Sequence, residues 1–505
     1  MSWSSRQLAA AAVAAGCGWI AALAAPRDFP VGSYGDDARY VVLAKALREG
    51  GRYRLLQVPG EPAETMFPPG YPAALALVWS PALGGARNLE RARWVNLALA
   101  GALAGALCLA GSVLFALPTA ASAAVAVAGV VAPITMARWV LPLSEPLCLL
   151  LLVVGYLLMA DERPRYRWGG LLVLIAASYV RSVAVAFLLG AWVVAWRRGA
   201  RRRVAAEMVV AAVGLAPWVI WTVLHAGDVP PALYGMYGSY GQWYAASLLA
   251  DPVAVLCLVP VKNLWLLLAS LGGAVTSLPA APAVAALLGA AVVWAAWRAR
   301  GAAPAMLAGL GCYAASVLMW PYPPLRFVGA VWPLALLAVV AGIGRAGRRA
   351  VHAAAVVALV LAVAGFVRQA GLREAGGTWD WRPFVETIRP LVPRDAVLAS
   401  SNPALYYLTL GVRGVPNERM RSYRFYRLGY WATAWGLGDD VWAILRSYRP
   451  AEVLLERRGV EGRYAVGSLM RQCPGMLAPL WSTPRGEFLF TVRNDLPCSP
   501  VRVER

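Results

Sequence analysis

The chain has 505 residues, 60% of them hydrophobic and only 14% charged, with a mean hydropathy of +0.58 and a formal net charge of +21. A soluble domain with a large core does not reach that balance, whereas a polytopic membrane protein does. The positive charge does not imply nucleic acid: the arginines fall in short clusters between apolar runs, the pattern of loops held beside anionic lipid, rather than on one basic face.

The first apolar run, 8–25, is expected to be a retained helix rather than a cleaved signal peptide, because many more spans follow it. Two adjacent carboxylates come next, in Tyr34-Gly35-Asp36-Asp37-Ala38-Arg39-Tyr40. Charges at the mouth of a membrane helix are costly to place and point to function, although a helix N-terminus can also use them as caps. From Asp37 to Glu49, Tyr40, Leu43, Ala44 and Leu47 recur at i, i+3, i+4 and i+7, which predicts an amphipathic helix lying in the interface. Phe67-Pro68-Pro69-Gly70 then opens a second short helix, predicted over Tyr71 to Leu83, because proline suits a helix start. It is too short to span, so Arg87, Arg91 and Arg93 remain on the outer side, against the charge rule.

Further apolar runs sit at 94–115, 119–137, 143–160, 168–196, 204–224, 253–275, 280–297, 303–320, 326–343 and 350–367. Arginine clusters at 163–167, 197–203, 298–300 and 345–349 mark the cytoplasmic side, so an even number of crossings must separate them. The run 168–196 lies between two such clusters and therefore reads as two short helices meeting at Ser178-Tyr179-Val180-Arg181. The same parity makes 253–275 a re-entrant or interfacial segment. About eleven spans result, with the N-terminus inside and the C-terminus outside.

On this layout Asp36 and Asp37, Arg138 and Glu145, Arg181, and Tyr322 with Arg326 all fall at the outer ends of their segments, although none of them served to assign the sides. Glu145 has a simpler reading as the ion-pair partner of Arg138, and Arg181 and Arg326 have one as headgroup-seeking side chains. Tyr234, Tyr237, Tyr240, Trp243 and Tyr244 make an aromatic outer loop, suited to sugar stacking or to an interfacial belt. The expected domains are a transmembrane unit over 1–368, with its first outer loop at 26–93, and an extracytoplasmic α/β unit over 369–505. In the latter, 395–401, 453–456 and 488–492 read as strands, with helices from Ala404 to Leu410 and from Val441 to Tyr448. Cys17, Cys108, Cys148, Cys257 and Cys312 lie in apolar runs, while Cys473 and Cys498 are placed to pair in an oxidising compartment.

Taken together, Gly35-Asp36-Asp37-Ala38, Phe67-Pro68-Pro69-Gly70-Tyr71-Pro72, Ser144-Glu145-Pro146, the Arg181 turn, Arg326-Phe327 before Trp332-Pro333-Leu334, and Asp395-Ala396-Val397-Leu398 with Tyr406-Tyr407-Leu408-Thr409 resemble the GT-C superfamily of polytopic glycosyltransferases. The family-39-like group, with protein O-mannosyltransferases and the lipid A aminoarabinose transferase, is the nearest in pattern. The resemblance implies an α-helical membrane enzyme of the plasma membrane, using a polyprenyl-phosphate sugar on the outer face and inverting the anomeric centre. A first-loop carboxylate would be the general base. Asp36 matches the leading Asp of the family's Asp-Glu pair and Asp37 replaces the Glu. Arg138, Arg181 and Arg326 would bind donor phosphate, with Glu145 and Tyr322 beside them, and Mg²⁺ or Mn²⁺ would be held by Asp36 and Asp37 if any metal is used. The acceptor is a lipid, glycan or protein hydroxyl. A transporter or flippase of lipid-linked sugars and a non-catalytic envelope scaffold are the alternative classes, the former disfavoured by the lack of paired repeats.

Overall fold

The structure is a computed structural model that describes residues 3–25, 31–32, 34–161, 163–230, 233–276, 281–320, 324–376, 381–417, 448, 452–455, 470–471, 473–482 and 488–493. The helix predicted over 441–448 falls almost wholly outside these residues, and Tyr322 and Cys498 do so entirely.

The transmembrane unit begins with α1 (Ser5–Ala24), α2 (Asp36–Gly50), α3 (Gly70–Ala76) and α4 (Gly85–Val113). It continues through α5 (Thr119–Val131), α6 (Pro133–Trp139), α7 (Glu145–Met159), α8 (Pro164–Val180), α9 (Val185–Arg197) and α10 (Arg201–Leu224). Two short loop helices follow, α11 (Tyr234–Tyr237) and α12 (Tyr240–Ala250). The unit closes with α13 (Val259–Thr276), α14 (Pro282–Arg298), α15 (Pro304–Leu318), α16 (Leu325–Ile343) and α17 (Arg348–Gly376). Seven of these helical stretches are long and apolar enough to cross a membrane, and four more of 10–17 residues are apolar. The chain is a multi-pass membrane protein of the expected helical class.

The break in 168–196 is where the charge pattern puts it. Helix α8 stops at Val180, Arg181 is extended (φ −147°, ψ 121°), and a 3₁₀ turn over Ser182–Ala184 leads into α9. A second break, at Ala132, was not foreseen; Pro133 disfavours helical geometry in the residue before it. The carbonyls freed there are satisfied locally, Thr135 Oγ1 donating to Gly129 O (2.8 Å) and Ala132 O (2.7 Å), and Trp139 Nε1 to Val130 O (3.0 Å).

Three expectations gain detail. The segment expected to re-enter or lie in the interface is a 22-residue apolar helix, Ala254–Val275, packed against α14 through Gly272 and Gly289, and Arg203 and Ala302 at its two flanks line one cavity, as the even count of crossings requires. Helix α2 has no face left open over Asp37 to Ala44: all are buried, because Val41 and Val42 make the opposite face apolar too and protein covers both. Helix α3 ends at Ala76 instead of Leu83. Beyond it, Pro81 cannot donate, and the Asn88 side chain takes over both Ser80 N (2.9 Å) and Ser80 O (2.9 Å). Seven residues reach about 10 Å, so α3 cannot cross, and the start of α4 with Arg87, Arg91 and Arg93 stays at the same end as α2.

Among the described residues, the C-terminal unit holds α18 (Trp381–Ile388), α19 (Pro403–Leu410) and a five-stranded sheet. Its strands are β1 (Val397–Ser400), β2 (Arg413–Pro416), β3 (Glu452–Leu455), β4 (Leu477–Ser482) and β5 (Phe488–Val492), in the order β2-β1-β3-β5-β4. Strands β2, β1 and β3 are parallel, with Val397 opposite Arg413, and β3, β5 and β4 are antiparallel. Helix α19 is the right-sized crossover between β1 and β2, which gives the small α/β unit that the strand pattern predicts. Cys473 is disulfide-bonded, and the five cysteines of the apolar segments are free.

Close approach of backbones sets the end of the bundle where α2 begins. At Gly70 a Cβ would sit 2.7 Å from Tyr179 O and 3.0 Å from Val180 N, so the Pro68-Pro69-Gly70 turn rests directly on the end of α8. Gly70→Ala must push these backbones apart, at a cost of about 1–3 kcal/mol, and is expected to lower both the melting temperature and activity. An unchanged melt would show that the turn has room to move.

Candidate active site

Four elements bring charged side chains to one point. Asp36 is the first residue of α2, Glu145 the first of α7, Arg181 the residue closing α8, and Arg326 the second of α16. Arg326 is the hub: its Nη1 meets Asp36 Oδ2 and its Nε donates to Glu145 Oε1 at 2.8 Å. Arg181 Nη1 reaches the same Glu145 oxygen at 2.9 Å and Ser144 Oγ at 3.0 Å. Ser144 in turn shares a hydrogen bond with the Tyr40 hydroxyl at 2.9 Å, which links the cluster back to α2. The Tyr34 ring lies 5.1 Å from the Arg326 guanidinium.

Exposure separates the two carboxylates. The Glu145 side chain is 1% exposed beneath its arginines, whereas that of Asp36 is 30% exposed. The buried Glu145 charge is balanced by two guanidinium contacts, the condition under which such a group stays ionised in an apolar bundle.

Asp37 faces elsewhere. Its Oδ2 accepts from Gly32 N (2.6 Å), and its Oδ1 from Tyr34 N (3.1 Å) and Ala38 N (2.9 Å). It shapes the turn that delivers Asp36, where Gly35 holds φ at +90°, a value other residues adopt only with strain. Burial pushes the Asp37 carboxyl up to about 6, against the three N–H donors and helped by the neighbouring Asp36 charge. The folded protein therefore keeps this proton between about pH 4 and 6, where an unfolded chain has lost it. The stabilisation is complete below about pH 4 and falls by roughly 3 kcal/mol as pH rises to 6. In Asp37→Asn this slope should vanish, so wild type should lose melting temperature relative to the variant across that window. Parallel curves would rule out the buried proton.

The remaining sequence candidates divide in two. Arg138 lies in α6, but its side chain, like all of Tyr322, is outside the described residues. The simple reading of Arg181 and Arg326 as headgroup-seeking does not hold, since both turn inward to Glu145. Tyr237 of the aromatic loop is buried against Arg39 (4.7 Å), while Tyr240 and Trp243 pack on Trp320 at 4.9 Å and 5.8 Å.

Several supporting residues were missed. Arg39 and Glu64 form a buried bidentate pair (Nε–Oε2 2.9 Å, Nη2–Oε1 2.7 Å), and Arg39 Nη1 donates to Met236 O at 2.7 Å, which ties α2 to the loops that carry Glu64 and Met236. Asn96 receives the Tyr71 hydroxyl (2.8 Å) and donates to Leu143 O (2.9 Å), fixing α3 and α4 to the turn before Glu145. An arginine inside a helix with apolar faces, and an asparagine inside a membrane span, were the available signals.

A divalent cation does not fit the adjacent aspartates. Asp37 spends its oxygens on backbone N–H groups, Asp36 meets Arg326, and among the described residues no three His, Cys, Asp or Glu gather to hold a metal.

No protein-family model matches the chain, and no curated protein matches it in sequence. Solved structures do. ArnT from Cupriavidus metallidurans bound to undecaprenyl phosphate is 14% identical over 98% of this chain and 99% of its own, with a TM-score of 0.48. The Archaeoglobus fulgidus oligosaccharyltransferase in its apo form is 11% identical over 97% of this chain and 75% of its own, with a TM-score of 0.51. At such identity the second likeness establishes the architecture alone, and the chain has the GT-C fold.

Proposed function

We propose that the protein transfers a sugar from a polyprenyl-phosphate donor to an acceptor hydroxyl at the outer face of the plasma membrane, with Asp36 as general base. The observation that carries this reading is a partly exposed carboxylate, Asp36, paired with Arg326, which shares the buried Glu145 with a second inward-turned arginine, Arg181, at the mouth of an apolar bundle. The GT-C fold and the sequence resemblance both favour it.

The acceptor O–H loses its proton to Asp36 as its oxygen attacks the anomeric carbon. The bond from that carbon to the donor phosphate oxygen breaks, and polyprenyl phosphate leaves with the electron pair. Growing charge on that phosphate is what Arg326 and Arg181 can stabilise, being permanently protonated and already held in place by Glu145. As the phosphate draws on Arg326, its hold on Asp36 loosens and the carboxylate becomes a better base. Direct displacement inverts the anomeric centre. The Asp36 end also carries the C-terminal unit, and a disulfide at Cys473 suits an oxidising compartment, which supports an extracytoplasmic location for that end.

The test is transfer by purified protein from a panel of polyprenyl-phosphate sugars to extracted envelope lipid, glycan and protein acceptors. Product from one donor supports the reading. Failure with every donor, together with movement of an intact lipid-linked sugar across a vesicle membrane, would replace it with the flippase reading.

A further inference from the structure

At the end of the bundle opposite Asp36 there is a second basic site. A cavity of about 280 Å³ opens between the ends of α4, α7, α9 and α15 and includes Arg167, Arg198 and Arg203 in its lining. It lies at the Met159 end of α7 while Glu145 heads the other end, so about 21 Å of helix separates the two sites.

The cavity has two kinds of wall. Ala191, Val194 and Met306 make an apolar side. Three arginines complete the lining, and Glu207 from α10 is the acidic group that holds two of them, Arg167 and Arg203. Glu207 is 1% exposed and takes Arg167 Nε at 2.8 Å, with Arg203 Nε at 3.7 Å. One carboxylate against three arginines leaves a charge of 3 − 1 = +2. Arg198 pairs with no carboxylate among the described residues, and Glu207 engages Arg167 through Nε alone, so its terminal nitrogens remain available. Arg201 and Arg202 belong to the same sequence cluster yet lie outside the cavity. The cluster is thus divided, with part of it oriented by a buried acid toward an apolar-walled hole.

We infer that this cavity is a discrete site for the phosphate headgroup of an anionic glycerophospholipid. The guanidiniums match phosphate oxygens in geometry and charge, and the apolar wall accepts the first part of the acyl chains, which inorganic phosphate would leave unused. Diffuse attraction of basic loops to an anionic surface would engage Arg201 and Arg202 equally.

The experiment uses the full chain in nanodiscs of mixed phosphatidylglycerol and phosphatidylcholine, with retained lipid counted by native mass spectrometry. One phosphatidylglycerol per chain is expected. Retention should fall about thirtyfold in Arg198→Ala/Arg203→Ala and hold in Arg201→Ala/Arg202→Ala, with both variants checked for an unchanged melt. A second pair, Arg198→Lys/Arg203→Lys, keeps the charge and should retain part of the binding if the first pair melts early. Equal loss in both alanine pairs would reduce the effect to diffuse attraction. Displacement by millimolar inorganic phosphate, or equal retention of phosphatidylcholine, would also overturn the assignment.

Discussion

Asp36→Asn is expected to lower sugar transfer by about 10²–10⁴-fold while leaving the melting temperature close to that of wild type. The variant keeps the size of the side chain and one oxygen toward Arg326, and removes the group that takes the proton. Because the side chain is 30% exposed and makes no backbone contact of the kind that occupies Asp37, little folding energy rides on its charge. The measurement is turnover of the accepted donor, with donor binding followed separately by displacement of a fluorescent polyprenyl phosphate. Binding retained and turnover lost is the result that assigns the base. Full turnover in the variant would remove Asp36 from the chemistry, and with it the role proposed for the pair.

Arg326→Ala should have the next largest effect, of a different kind. Transfer is expected to fall by about 10²–10³-fold through lost stabilisation of the leaving phosphate. The protein should also lose up to about 3 kcal/mol, because the buried Glu145 carboxylate forfeits one of the guanidiniums that hold it. Arg326→Lys then separates the two roles. The ammonium keeps a positive charge beside Glu145 and loses the planar fork that meets phosphate and carboxylate together, so stability should return in part while transfer stays low. Recovery of both together would mean that Arg326 acts only as a structural partner of Glu145. Loss of stability without loss of transfer would say the same more directly.

The charges that converge here were legible because membrane spans make them rare. Glu145, Arg181 and Arg326 stand out against apolar runs, and the parity of arginine-rich loops put them at one end before any contact was known. The broken helix at Arg181 followed from the same parity, since two basic loops on one side require an even number of crossings. The division of labour between Asp36 and Asp37 was not legible. It depends on which side chain meets backbone N–H groups from Gly32, Tyr34 and Ala38, and adjacent residues of one type carry no signal of that. Burial of α2 was hidden for a related reason: an apolar face shows that a helix face is covered, and does not distinguish lipid from protein as the cover. Contacts such as Arg39–Glu64 and Tyr71–Asn96 join residues 25 apart through loops with no period, so sequence spacing could not pair them.

The C-terminal unit holds the turn before Asp36. Trp381 Nε1 donates to Val31 O at 3.0 Å, and Asn402 Nδ2 donates to Gly32 O, across 350 and 370 residues of chain respectively. A ribosome therefore delivers the membrane helices and Asp36 long before it delivers Trp381 and Asn402, the groups that hold the turn before it. Until Asn402 has been made, the first loop is present but unfinished. On the proposed function, a nascent chain would be inert through most of its own synthesis and acquire its reactive geometry only when the C-terminal unit folds back onto the first loop.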